Sequence, residues 1–141
     1  MNKNIGIWMD KEKAHIITVK EDGEDIITVL SNIEDFRIHG GSGTRFKGGP
    51  QDVVQDSKYL EREKNQFRVY FAEVVSYIKS ADKVAIFGPA ETGEKFNKEV
   101  NEKHRDISNK IAGVFKADSM TENQTKALVR EYFKKHKQGI L

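Results

Sequence analysis

Three short β-branched runs, Ile5 to Met9, Ala14 to Lys20 and Asp25 to Leu30, follow one another with only four residues in each connection. A parallel crossover needs a dozen or more residues, so these three strands can pair only as an antiparallel meander. The second connection, Glu21-Asp22-Gly23-Glu24, carries an Asp-Gly turn dipeptide, which fits a tight hairpin. The next strand signal is of another kind. Lys83-Val84-Ala85-Ile86-Phe87 is apolar on both faces and is stopped by Gly88-Pro89. A continuous apolar run suits a central parallel strand covered by helices on both sides. Lys110 to Ala117, with Ile111, Val114 and Phe115, reads as a last short strand.

Helical periodicity fills the remainder. From Ser57 to about Ala81, Leu60, Phe67, Phe71, Val74, Val75 and Ile78 fall on one stripe, and Arg62, Lys64, Arg68 and Lys79 fall elsewhere. A second helix runs from about Ala90 to His104 on a thin stripe of Phe96 and Val100, weakened by Gly93. A third opens at Thr121-Glu122-Asn123-Gln124, the spacing of a capping box, and continues through Leu128, Val129, Tyr132 and Phe133. Lys134, Lys135 and Lys137 near its end suit the helix dipole and a solvated surface.

The order is β-β-β-α-β-α-β-α. With right-handed crossovers it builds a five-stranded mixed sheet of strand order 3-2-1-4-5 with helices on its faces. This is the α/β plan of ribonuclease H. One domain over residues 1–141 is expected, since this length buries enough surface to hold a core without staples. The absence of cysteine excludes a disulfide framework, a thiolate metal site and a cysteine nucleophile. No apolar stretch approaches the ~18 residues of a membrane span, and the first residues are too short a run for a signal peptide, so a cytoplasmic protein without membrane contact is expected. With 24 Lys and Arg against 22 Asp and Glu, total charge makes no case for a nucleic-acid partner.

Local charge does. Between Arg37 and Gln51 there is no acidic residue, and Gly40, Gly41, Gly43, Gly48 and Gly49 alternate with Arg45, Phe46 and Lys47, with His39 alongside. A connection of this length without periodicity is uncommon in a compact domain unless it is functional or disordered. Glycines let a backbone approach a phosphate closely, and the arginines and lysine supply charge. The spacing is not that of a nucleotide P-loop, and the segment follows a strand that should not be parallel.

Gly40-Gly41-Ser42-Gly43-Thr44-Arg45-Phe46, leading into a long amphipathic helix, resembles the middle domain of archaeal and eukaryotic class-one release factors and Pelota. In that family a Gly-Gly-Gln loop precedes an Arg-Phe and a helix on a ribonuclease H-like sheet. The whole chain is also similar to small bacterial release-factor-like proteins, often labelled translational machinery components or host-attachment proteins. The similar features are Ile7-Trp8-Met9-Asp10, Ile86-Phe87-Gly88-Pro89-Ala90-Glu91 and Ala117-Asp118-Ser119-Met120-Thr121-Glu122-Asn123-Gln124. In the release factors the glutamine-bearing loop enters the peptidyl-transferase centre and promotes peptidyl-tRNA hydrolysis. Here Ser42 stands at the glutamine's position, and the spacing to Arg45-Phe46 is one residue shorter. The resemblance therefore implies contact with the ribosome or tRNA through Arg37, His39, Gly40, Gly41, Ser42, Gly43, Arg45, Phe46, Lys47, Gly48 and Gly49. It assigns no catalytic residue, and no cofactor or metal is expected.

Two other readings compete. Ribonuclease H-like nucleases hold two Mg²⁺ ions about 4 Å apart, starting from a carboxylate on the first strand. Asp10 is the candidate here, with Glu73, Glu91 and Asp118 as further ligands. Against it, Asp10 lies in a charged turn and suits that turn well. The long helix could instead serve a protein–protein interaction module. Oligomeric state is left open, with the third strand as one plausible edge for self-pairing.

Overall fold

The computed structural model describes residues 3–33, 49–89 and 91–139. Five strands, β1 (Asn4–Met9), β2 (Lys13–Lys20), β3 (Gly23–Leu30), β4 (Lys83–Gly88) and β5 (Ile111–Lys116), form one sheet of order β3-β2-β1-β4-β5. The first three are antiparallel, with Ile7 opposite Ile16 and Ile16 opposite Ile27. β4 lies parallel to both β1 and β5. The expected fold is therefore found. The β2–β3 turn closes on Glu21 and Asp22, with Lys20 paired to Gly23, whose φ of 149° suits only glycine.

The helices are α1 (Gly49–Ile78), α2 (Thr92–Lys103), a single turn α3 (Arg105–Ser108) and α4 (Glu122–Gly139). One sheet face presents Ile5, Ile7, Met9, Ile16, Val84 and Ile86 to Phe71, Val74 and Ile78 of α1 and to Phe96 and Val100 of α2. The opposite face presents Trp8, Ile17, Ala85 and Phe87 to Val129 and Phe133 of α4. Residues alternate along β1 between the two cores, as the period of two requires. Trp8 is buried, and its indole N–H donates to the Ala117 carbonyl at 3.1 Å, so it is a core residue.

The start of α1 differs from expectation. α1 begins at Gly49, eight residues before Ser57, so Gly49, Pro50 and Gln51 belong to a helix and leave the glycine segment. Proline is tolerated there because the N–H groups of a first helical turn have no intrahelical partner. Leu60 is 64% exposed, so the buried stripe starts only at the half-buried Phe67. Gly93 marks a close helix–sheet approach: a Cβ there would meet Ile86 Cγ2 at 3.0 Å and Val114 Cγ1 at 3.3 Å.

The capping box forms as its spacing predicts. The Gln124 N–H donates to Thr121 Oγ1 at 3.1 Å, and the Thr121 N–H donates to Gln124 Oε1 at 2.9 Å. Such a cap contributes about 1 kcal/mol.

Candidate functional site

Arg37, His39, Gly40, Gly41, Ser42, Gly43, Arg45, Phe46, Lys47 and Gly48 lie outside the described residues; what the structure describes is the chain on either side of this segment. The described chain leaves the sheet at the carboxyl end of β3 and resumes at Gly49, the first residue of α1. The outgoing end is bound to the β1–β2 turn. Ser31 donates its N–H to the Glu12 carbonyl at 2.9 Å and its hydroxyl to the Lys11 carbonyl at 2.6 Å, and the Ile33 N–H donates to Ser31 Oγ at 3.2 Å. Asn32 between them takes a left-handed φ of 57°, a conformation asparagine tolerates well.

The β1–β2 turn is in turn fastened to α1. Asp10 Oδ1 accepts the N–H groups of Glu12 at 2.8 Å and Lys13 at 2.9 Å, closing the turn. The Tyr70 hydroxyl of α1 donates to the Asp10 carbonyl at 2.9 Å, and Lys11 pairs with Glu63 of α1 at 2.7 Å. Burial, with the Asp10 charge nearby, pushes the Tyr70 hydroxyl far above its ordinary range and keeps it a donor at any working pH. Replacing Tyr70 by Phe keeps the ring and orphans the carbonyl. The expected cost is about 1–2 kcal/mol, read as a lower denaturant midpoint with unchanged slope.

Beside this frame lies an open groove of about 270 Å³ lined by Leu30, Asn32, Arg62, Gln66, Val69 and Glu73, among others. It sits where the chain leaves at Ile33, so the segment departs next to a surface that mixes apolar and polar groups. Leu30 and Val69 are 60% and 68% exposed there.

The nuclease candidates do not assemble. The Asp10 carboxylate is used by its turn, and among the described residues no group of three or more His, Asp and Glu side chains could hold a metal ion. Glu73 lines the groove, whereas Glu91 stands at the start of α2. Glu91 is the N-cap residue of α2 and makes no side-chain cap hydrogen bond. Short Ser, Thr, Asp and Asn side chains cap well, and glutamate is not among them.

In the sequence His15 has no histidine partner at metal-ligand spacing. It is buried on the α4 side of the sheet, shares a 2.9 Å hydrogen bond with Thr28 Oγ1, and lies 6.0 Å from the Trp8 ring. Burial lowers its pKa below the ordinary 6.5; Glu122 and Asp10 oppose the shift and Lys13 adds to it. The unfolded chain therefore binds this proton more readily than the folded one. Its contribution is fully present above pH 6.5 and is lost as pH falls through the lowered folded value. Denaturant midpoints measured from pH 8 downward are expected to fall below pH 6.5, and His15→Gln to flatten that part of the curve.

No protein-family model matches the sequence, and no curated protein matches it. Solved structures do match. Pelota of Archaeoglobus fulgidus aligns over 94% of this chain and 31% of its own, with a TM-score of 0.56 and 11% identity. The archaeal translation termination factor aRF1 aligns over 86% of this chain and 31% of its own, at 0.55 and 12%. The chain shares its fold with part of Pelota and of aRF1. A second Pelota, from Thermoplasma acidophilum, aligns over 94% at 0.52 with 18% identity. The chain spans about a third of the length of these Pelota and aRF1 structures. At such identities the likeness concerns the fold, and it agrees with the ribonuclease H-like fold that the resemblance implies. Among the described residues no helix is long and apolar enough to cross a membrane.

Proposed function

We propose that this chain works in translation, binding the ribosome or tRNA through the glycine-rich basic segment that begins at about Arg37, without a catalytic role of its own. The observation that carries the reading is the shared fold with a translation termination factor, combined with the position of the segment. The Gly-Gly and Arg-Phe residues fall between β3 and a long α1, the order found in the release-factor family that the sequence resembles. Arg37, Arg45 and Lys47 neutralise phosphates, and the glycines let the backbone enter a narrow cleft. Ser42 offers a hydroxyl where the family has a glutamine amide, so peptidyl-tRNA hydrolysis is not part of the proposal. Ser31 is hydrogen-bonded to the Lys11 carbonyl just before the segment, and α1 begins just after it.

The reading is tested by binding of the purified protein to ribosomes and to tRNA at low and moderate salt. Binding that weakens steeply with salt supports it; no binding at low salt overturns it. A second reading, a protein-interaction surface on α1, is favoured by the exposed Val69 and Leu30 at the groove. That reading gains if binding survives Arg45→Ala/Lys47→Ala and is lost with Val69→Asp.

A further inference from the structure

β3 stands at one edge of the sheet: β2 lies on one side of it, and among the described residues no strand lies on the other. The ladder tells which backbone groups face outward. The Ser31 N–H donates to the Glu12 carbonyl on the β2 side at 2.9 Å, and in an antiparallel ladder the residues that bond a given neighbour alternate. Asp25, Ile27 and Val29 therefore turn their N–H and C=O groups toward β2, and Glu24, Ile26, Thr28 and Leu30 turn theirs outward. The 2.9 Å bond that Thr28 Oγ1 shares with His15 uses the side chain and leaves the Thr28 backbone groups available.

Proteins guard exposed edges with short strands, bulges, prolines and lysines. The two edges of this sheet differ in that respect. β5 is six residues long, its register against β4 shifts between Val84 and Ala85, and Lys110 and Lys116 stand at its ends. β3 is eight residues long, pairs with β2 without a shift, and carries neither proline nor lysine. Ile27 and Leu30 are 43% and 60% exposed on it, so the unguarded edge is also apolar. Its charges, Glu24 and Asp25, are confined to the start of the strand.

The strand is complementary to itself. Two copies that pair edge to edge about a two-fold axis run antiparallel, which sends their acidic starts to opposite ends. With the axis at Thr28, Ile26 falls opposite Leu30 of the second copy, Ile27 opposite its Val29, and Thr28 opposite its Thr28. Asp25 and Glu24 then fall opposite its Ser31 and Asn32, so no like charges meet and outward groups face outward groups. Moving the axis to Ile27 would set Asp25 against Val29 and Glu24 against Leu30, and moving it to Val29 would set Ile27 against Ser31.

We infer that β3 is a self-association edge, through which two copies of this chain pair antiparallel about Thr28 and join their five-stranded sheets into one. The pair is closed, because both β3 edges are used and the guarded β5 edges remain at the ends. This association is independent of the proposed role in translation.

The test is the solution mass of the full chain, by sedimentation equilibrium from low to high micromolar concentration. Wild type is expected to reach twice the chain mass and to stop there. Ile27→Lys/Leu30→Lys, which puts lysines at two exposed positions of the edge, is expected to stay at the single-chain mass, with thermal melts confirming that it folds. Register is read separately. The chain has no cysteine, so Thr28→Cys supplies a single thiol, and the Cα atoms of a hydrogen-bonded cross-strand pair lie about 5.5 Å apart, within disulfide reach. Under mild oxidation Thr28→Cys is expected to link two copies, and Glu102→Cys, exposed on α2, to remain largely unlinked. A wild-type mass that stays single at high micromolar concentration would overturn the inference, as would a mass that grows beyond two chains, a lysine variant that pairs as tightly as wild type, or equal linking by the two cysteine variants.

Discussion

Gly88→Ala is expected to destabilise the fold by about 3 kcal/mol or more, a large share of the 5–15 kcal/mol that holds a domain of this size. A Cβ at Gly88 would run into the backbone carbonyl of Met9, with the Met9 carbonyl carbon 3.5 Å away. Both residues end central parallel strands, β4 and β1, that pair along Asn4 to Trp8 and Lys83 to Phe87. A clash with a flexible side chain can relax by rotation; a clash with backbone inside a paired sheet must part the strands. The Gly88 carbonyl also accepts the Ala117 N–H at 2.8 Å, next to the carbonyl that receives the Trp8 indole, so a displaced Gly88 disturbs the second core as well. Chemical denaturation checks this. An alanine variant with the wild-type midpoint would contradict the close approach of β1 and β4.

Arg45→Ala/Lys47→Ala is expected to lower affinity for the ribosome or tRNA by one to two orders of magnitude at low salt and to reduce the salt slope by about two. The stretch between Arg37 and Gln51 contains no carboxylate, and each cation that contacts phosphate displaces counterions from RNA. The substitutions leave the anchoring bonds of Ser31 and Tyr70 untouched, so stability should not change. A fall in affinity with an unchanged slope would mean that the pair does not contact phosphate.

The sheet was legible because short connections leave few choices. Four residues between β-branched runs force antiparallel neighbours, and a strand apolar on both faces belongs at the centre, where β4 lies between β1 and β5. The buried stripe of α1 from Phe71 to Ile78 followed from periodicity. Its start did not. Gly48-Gly49-Pro50 reads as punctuation, yet proline is compatible with a first helical turn, and Leu60 supplies an apolar residue to a part of the helix where it is not buried. α3, at four residues, is shorter than any periodicity can show.

The glycine segment was visible for a different reason. It departs from periodicity, and local charge marks it. Its frame was invisible, because Asp10, Ser31 and Tyr70 are far apart in sequence and meet only through backbone carbonyls and N–H groups. Asp10 was noticed for its charge at the end of β1, and the structure shows that charge closing a turn.

The most direct test is co-sedimentation of the full chain with ribosomes at low and moderate salt, beside Arg45→Ala/Lys47→Ala. The account predicts that the wild-type protein pellets with ribosomes at low salt, is largely released at moderate salt, and stays in the supernatant when the two cations are removed. Wild-type protein that fails to pellet at low salt, or a double variant that pellets as well as wild type, would contradict it.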